Sequence, residues 1–165
     1  MITRTAKVVL LAGVGLYYAL VVFNNITDFD SNYQFVRHVL SMDSTFTGNK
    51  GMWRALPSPA FHLAFYLGII GCEIVTTILL WWGVANLLRA LRLPVAAFNL
   101  AKRIPIAALT LSMLMWLVAF LSIGAEWFLM WQSHTWNGQD AAFRMFAVVG
   151  MVLLIVLLPD SEGQA

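Results

Sequence analysis

The sequence predicts an all-α protein: a bundle of four transmembrane helices with one additional short amphipathic helix on the outer membrane surface. Composition is the first observation behind this prediction. Hydrophobic residues make up 61% of the 165 residues and charged residues 11%, whereas an average soluble domain is about half apolar and about a quarter charged. The second observation is that the apolar residues form four stretches, each of about the length that a helix needs to cross a bilayer.

The four stretches are predicted to be helices because backbone N–H and C=O groups in hydrocarbon must pair within their own segment. They cover approximately residues 6–27, 60–86, 105–131 and 139–158, with an outer connection over 28–59. The first stretch follows Arg4 and Lys7, as in a signal peptide, but it is long and ends in polar residues rather than at a small-residue cleavage site. We therefore expect a retained span within a single integral membrane domain, 1–165.

The distribution of basic residues predicts the orientation of the bundle. The short connection between the second and third stretches contains four basic residues and no acid: Arg89, Arg92, Lys102 and Arg103. On the opposite side, basic residues are spread over a longer connection and mixed with aspartates. Because cytoplasmic loops are enriched in lysine and arginine, we expect both termini and this connection to lie in the cytoplasm.

The outer connection is the longest polar segment, and its first half is predicted to be the amphipathic helix. Phe35, Val36, Val39 and Leu40 share one face, as the spacing of an amphipathic helix requires. Two interpretations stay open. The apolar face lies in the headgroup region of the bilayer, or the helix packs over the end of the bundle.

Glu73 is the main candidate for a functional residue, since an ionisable group within a span is expensive and often functional. It lies 13 residues after Ala60, at the start of the second stretch, or about 20 Å along the helix. We expect Tyr17 and Trp116 at a similar depth, where they would supply hydrogen bonds. Glu73 is then either a proton or ion site or a buried acid that fixes the register of neighbouring helices.

Glu126 and Arg144 are predicted to form an ion pair. Glu126 lies five residues before Trp131 and Arg144 five residues after Gln139, so the two would reach the same depth in an antiparallel helical hairpin. A lone charge at this depth would be costly, whereas a hydrogen-bonded pair is tolerated. The pair is expected to be a structural clamp, with a substrate-binding charge as the alternative.

His62 lies eleven residues before Glu73, about three helical turns, so the two share a helix face. This stripe is interpreted either as a proton path from the outer surface or as packing around an interfacial histidine with a satisfied hydrogen bond. No sequence pattern points to a metal site, a haem or a catalytic residue. The net charge of +2 gives no basis for nucleic-acid binding.

No cofactor is predicted, with a bound lipid or quinone as the alternative. The chain has seven tryptophans, several of them near the predicted ends of the spans, as in the aromatic belts of membrane proteins. A quinone or lipid headgroup would stack on such rings, but anchoring at the interface is the simpler interpretation.

Several segments together resemble a bacterial family of predicted small integral membrane proteins with four transmembrane helices and no known function. The segments are NNITD at 24–28, FVRHVLSMD at 35–43, AFNLAK at 97–102 and EWFLMWQS at 126–133. The resemblance covers about residues 7–158. It implies the four-helix fold and a location in the bacterial inner membrane. It implies no reaction, so it assigns no catalytic residue.

The function expected from the sequence is that of a non-catalytic accessory or scaffold subunit of a larger membrane complex, for example a respiratory one. Its partners would be the lipid bilayer and other membrane protein subunits. The first alternative is a small proton- or ion-coupled transporter or channel that uses Glu73. The second is a quinone-binding membrane anchor. An enzyme is the less favoured class, because no active-site motif is found.

Overall fold

The structure is a computed structural model, which describes residues 1–160, and its elements are helical. The helices are α1 (Ile2–Thr27), α2 (Phe29–Ser41), α3 (Pro59–Ala90), α4 (Val95–Ala101), α5 (Arg103–Leu114) and α6 (Gln139–Leu157). A π-helix, Met115–Trp127, continues α5 without a break, and short 3-10 turns occupy Met52–Arg54 and Met130–Gln132. No strand occurs within residues 1–160.

The prediction of four apolar spans is confirmed. The helices long and apolar enough to cross a membrane are Ile2–Thr27, Pro59–Ala90, Val95–Trp127 and Gln139–Leu157. The third span differs most from the prediction, because α4 extends it at its start and it ends at Trp127 rather than at residue 131. Leu129, just beyond this end, has a left-handed backbone conformation with φ of 54°, which a continuing right-handed helix does not allow.

The four spans form a closed ring. α1 packs against α3, α3 against α5, and α6 against α5, the π-helix and α1. The helices are apolar on all sides, as expected where lipid rather than water surrounds the bundle. Large residues such as Leu20, Ile78 and Leu154 are at least half exposed on the outside of the ring, and the core between the spans includes Leu11, Leu80 and other fully buried side chains.

α2 lies across one end of the ring, here called the α2 end. It packs against α3 and α1 and buries Val36, Val39 and Leu40, three of the four residues predicted for its apolar face. The buried partners include Tyr66 and Ile70 of α3. These contacts favour packing over the bundle, and the position of α2 on an outer membrane surface stays a prediction.

The opposite end, here called the terminal end, carries a buried charge cluster around Asp160. Lys7 Nζ lies 2.8 Å from Asp160 Oδ2 and 2.6 Å from the carbonyl oxygen of Leu158. Lys102 Nζ binds the same carboxylate and lies 2.8 Å from the same carbonyl. Cations near the last turn of a helix are favourable, so this cluster ties the end of α6 to α1 and to the start of the third span.

Arg4 makes a second buried connection at the terminal end. Its Nη1 donates hydrogen bonds to the carbonyl oxygens of Leu91, at 3.1 Å, and Leu93, at 2.8 Å. The guanidinium carbon lies 4.8 Å from the centre of the Phe98 ring. Arg4 therefore satisfies carbonyl groups at and just beyond the end of α3, which a helix end otherwise leaves without partners.

Candidate functional site

Glu73 is buried in the middle of α3, with 3% of its surface exposed. Its Oε2 accepts a 2.6 Å hydrogen bond from Asn25 Nδ2, on the last turns of α1. A carboxyl group inside a span needs such a partner, because an unpaired polar group in an apolar environment is costly. The two residues thus form a polar contact between neighbouring spans.

Asn25 is itself held by two further side chains. Asn32 Nδ2, from α2, donates to Asn25 Oδ1 over 2.6 Å. Tyr66 lies about two turns before Glu73 on α3, and its hydroxyl is 3.3 Å from the same oxygen. Residues from α1, α2 and α3 therefore form one hydrogen-bonded network, and its far end is the Glu73 carboxyl.

This network lines a cavity of about 290 Å³, here called the Glu73 chamber. Its polar lining comes from Tyr17, Asn25, Asn32, Tyr66 and Glu73, and its apolar lining from residues such as Phe120 and Ala141. A cavity that is both polar and this large has room for several water molecules or for a small ligand. The chamber places a carboxyl group, two amides and two phenols around one space at the α2 end.

The chamber ends towards the terminal end at a second polar contact. Trp116, which lines the chamber, donates its indole N–H to the Tyr18 hydroxyl over 2.8 Å. That hydroxyl lies 2.5 Å from Ser112 Oγ. Beyond this contact the core includes Leu11, Leu80 and other fully buried side chains. The chamber is therefore a site near one end of the bundle, with packed core between it and the terminal end.

A comparison with known protein families identifies the family of the chain. The family described as predicted small integral membrane proteins, DUF2165, matches residues 3–159. The chain belongs to this family. The chain matches none of the curated proteins and none of the solved structures. The family description places this DUF2165 member in a membrane and names no reaction or ligand.

Two predicted site residues of this DUF2165 member lie in the chamber. Tyr17 and Trp116 line it together with Glu73, but Trp116 donates its N–H to Tyr18, and within residues 1–160 no hydrogen bond joins Tyr17 to Glu73. Glu73 bonds with Asn25, eight residues beyond Tyr17 along α1. α1 ends two residues after Asn25, whereas α3 begins 14 residues before Glu73. The start of α3 therefore extends past the end of α1 at the α2 end, which brings Asn25 rather than Tyr17 level with the Glu73 carboxyl.

The predicted ion pair between Glu126 and Arg144 is wrong. Within residues 1–160 the ion pairs closer than 4.0 Å join other groups, and both Glu126 and Arg144 are exposed. The prediction assumed an α-helix up to residue 131. The π-helix has a longer repeat than an α-helix, so it changes the face on which Glu126 lies, and it ends at Trp127. Arg54 instead donates to the carbonyl oxygens of Glu126, at 3.3 Å, and Trp127, at 3.0 Å.

Arg144 nevertheless lies near the chamber. It is one turn along α6 from the chamber residue Ala141, and it is exposed. Arg144 is thus a candidate for the rim of the site rather than for a clamp.

His62 is buried outside the chamber lining, with 2% of its surface exposed. Its Nε2 lies 2.6 Å from the carbonyl oxygen of Leu56, and because a carbonyl only accepts, this nitrogen donates. Ser41 Oγ lies 3.4 Å from the same nitrogen. These contacts hold the loop before α3, so they favour the packing interpretation of His62 over a proton path.

Sequence reasoning missed Asn25 and Asn32. Asn25 carried a signal, because an amide near the end of an apolar span needs a hydrogen-bond partner just as a carboxyl does. Pairing the amide of Asn25 in the first span with the carboxyl of Glu73 in the second would have identified the contact. Asn32 carried no such signal, since its role depends on α2 folding back over the bundle.

Proposed function

We propose that this DUF2165 member is a ligand-binding membrane protein whose principal polar group is Glu73. The observation that supports the proposal is the coexistence of a buried carboxyl and a cavity of about 290 Å³ beside it. A carboxyl that only fixed helix register would need its partner Asn25 and close packing. Space lined by Tyr17, Asn32 and Tyr66 goes beyond that requirement and matches the usual form of a ligand site, a concave pocket with a few polar groups.

The packed core beyond Trp116 and Tyr18 bears on the kind of protein. An open channel needs a continuous polar path, whereas packed core closes this site towards the terminal end. The proposal therefore covers a receptor, or a transporter in the state that faces the α2 side, and it retains the use of Glu73 expected for a proton- or ion-coupled transporter.

Native mass spectrometry of the protein, extracted gently from its own membranes, tests the proposal. The wild type is expected to carry a bound small molecule that is lost from Glu73→Gln. The matched control is Glu126→Gln, which removes an exposed acid outside the chamber and should keep the bound molecule. Identical bound species in wild type and Glu73→Gln, with both variants folded, would contradict the proposal.

A second candidate function is that of an accessory or scaffold subunit. The observation that favours it is a set of glycines with open space beside them. A methyl group added at Gly13, Gly68 or Gly71 would meet no heavy atom within 4 Å. Small residues at helix surfaces allow close approach of another helix within a membrane. The same glycines have no packing partner inside the ring, which favours the close approach of a partner helix.

Mild detergent extraction followed by identification of every co-purified polypeptide tests this second function. A subunit role predicts one partner in fixed stoichiometry, and Gly71→Leu should release it without unfolding the bundle. Recovery of the protein without any companion polypeptide would count against it.

The location in a bacterial inner membrane with cytoplasmic termini is part of the proposal. It is supported by the basic connection with Arg89, Arg92 and Arg103. Reporter fusions at residue 1 and within residues 43–51 test it. The first fusion should be active only as a cytoplasmic reporter and the second only as an exported one, and the reverse result would overturn the orientation.

A further inference from the structure

We propose that the ligand of the Glu73 chamber is a single-chain amphiphile that enters sideways from the bilayer, with a head group that donates hydrogen bonds to Glu73. This inference rests on the proposed function, since it names the class of ligand for the same site. It is carried by two further cavities, which adjoin one another between the chamber and the lipid-facing side of the bundle.

The first of these is an apolar cavity of about 70 Å³ beneath α2, here called the passage. It shares four lining residues with the chamber: Phe35, Val36, Ile69 and Phe120. The passage thus adjoins the chamber along one wall, and none of the residues that line it is ionisable. Its small volume suits one alkyl chain.

The second is a groove of about 530 Å³ on the outside of the bundle, between α3 and the π-helix. It shares four lining residues with the passage: Phe65, Ile69, Ala119 and Ile123. Gly68 and Cys72 form part of its floor, and the small glycine leaves open space there. This groove faces the region that lipid occupies around a four-span ring.

Ile69 lines the chamber, the passage and the groove. It is half-buried on α3, one turn before Glu73. One side chain therefore stands at the junction of a polar space and two apolar ones. The chamber has several polar side chains in its lining, whereas the linings of the passage and the groove are almost wholly apolar. A molecule with a polar head and one apolar chain has the same division along its length.

The chemistry of the head group follows from the chamber. Asn25 occupies one oxygen of Glu73, so a ligand would bind as a hydrogen-bond donor to the remaining acceptor capacity of the carboxyl. An amine or hydroxyl head meets that requirement. A carboxylate head would face Glu73 as a like charge or as a second acceptor, which is unfavourable in a site of low polarity.

A transmembrane helix of another protein is the competing occupant of the groove. It would cover Gly68 and the neighbouring apolar side chains, but a helix about 10 Å wide cannot extend through the passage into the chamber. The presence of Ile69 in the lining of all three spaces therefore favours a thin chain over a partner helix.

Photo-crosslinking in lipid nanodiscs tests the inference, with a dodecylamine that carries a diazirine in mid-chain as the probe. Labelled residues are expected in the passage and groove, with competition by dodecylamine but not by dodecanoate or butylamine. Glu73→Gln should weaken labelling about tenfold, because a hydrogen bond to a charged or strongly polar group is lost. Ile69→Trp should block labelling by filling the junction.

The matched control is Ile78→Trp, which adds the same ring to an α3 position that is 59% exposed and outside the linings of the three cavities. It should label like the wild type, and thermal unfolding should confirm that every variant is folded. Competition by butylamine as strong as that by dodecylamine would overturn the amphiphile inference and leave ligand binding at Glu73 intact. Labelling unaffected by Glu73→Gln would overturn both. Labelling confined to the groove, unaffected by Ile69→Trp, would point to an ordinary lipid or helix contact and overturn the inference.

Discussion

Asn25 donates a 2.6 Å hydrogen bond to Glu73 and so joins the last turns of α1 to the middle of α3. The two residues are 48 positions apart in the sequence. Both are at least 96% buried, and both line the Glu73 chamber. This contact is the structural basis of the candidate site, because it fixes the direction of the only acidic side chain among the chamber residues.

Replacing Asn25 with leucine should destabilise the bundle by about 1–3 kcal/mol, since Glu73 would keep its buried carboxyl and lose the amide donor. Unfolding in mixed micelles with increasing dodecyl sulfate measures the loss. Glu73→Leu alone should cost a similar amount. The double variant should lose less than the sum of the two, because neither residue is then left without its partner. Strictly additive losses would contradict an energetic link between the two side chains.

The four spans could be predicted from the sequence because hydrocarbon leaves the backbone few alternatives. Their ends could not be predicted as well. The prediction started α1 at residue 6 instead of Ile2 and ended α3 at residue 86 instead of Ala90, because an apolar stretch does not mark the polar turns that continue a helix beyond it. Arg4 and Lys7 are instead buried within α1 and bind carbonyl groups at the terminal end.

Which residues surround Glu73 depends on how distant helices pack against each other, and no local sequence pattern gives this. Glu73 was identified because an acid in an apolar stretch is conspicuous. Its partner was misassigned because the prediction placed the end of α1 and the start of α3 at the same depth. The Glu126–Arg144 pair failed for a local reason, since a π-helix of 13 residues has no simple sequence signature and changes the direction of every side chain after Met115.

Asp160→Asn should destabilise the protein by about 3 kcal/mol. The substitution removes the carboxylate that lies against Lys7 and Lys102, and the two ammonium groups are then buried side by side without a counter-charge. Unfolding in mixed micelles at neutral pH measures the effect. Adding Lys102→Met to Asp160→Asn should recover part of the loss. A double variant no more stable than the single one would show that the cluster contributes little through charge.

The same carboxyl predicts a dependence of stability on acid pH. Burial alone would raise the pKa of Asp160, but hydrogen bonds and charge interactions with Lys102 and Lys7 outweigh it and hold the pKa below the ordinary value of 3.8. The stabilisation is therefore fully present above that value and is lost as the pH falls through the lowered pKa. Unfolding curves between pH 6 and pH 2.5, measured for wild type and Asp160→Asn, should converge towards the acid end. Curves that stay parallel would contradict the assignment.

Tyr18→Phe should cost about 1–3 kcal/mol, because it removes the acceptor of the Trp116 indole N–H and the partner of Ser112 Oγ in a buried location. The neighbouring Tyr17→Phe is the matched control. Within residues 1–160 no hydrogen bond reaches the Tyr17 hydroxyl, so its removal should change the free energy of unfolding by about 0.5 kcal/mol or less. Equal effects of the two substitutions would argue against the Trp116–Tyr18–Ser112 contact as the floor of the chamber.

A comparison of alanine substitutions at Gly83 and Gly13 tests how closely the spans pack. A Cβ at Gly83 would lie 2.9 Å from Pro105 Cγ and 3.2 Å from the backbone nitrogen of Pro105. Neither atom can move independently, because the ring is fixed to the start of α5. Gly83→Ala should therefore destabilise the bundle by about 1–3 kcal/mol through overpacking.

Gly13→Ala is the same chemical change in a helix interior, but no heavy atom lies within 4 Å of the added methyl group. It should leave stability unchanged or raise it by up to about 1 kcal/mol, the difference in helix propensity between alanine and glycine. Unfolding of both variants in mixed micelles gives the comparison. Because Gly83 lies on the same helix as Glu73, a shift of α3 away from Pro105 should also weaken crosslinking of the dodecylamine probe. Equal stabilities for the two alanine variants would show that α3 and α5 do not approach as closely as the contact between Gly83 and Pro105 requires.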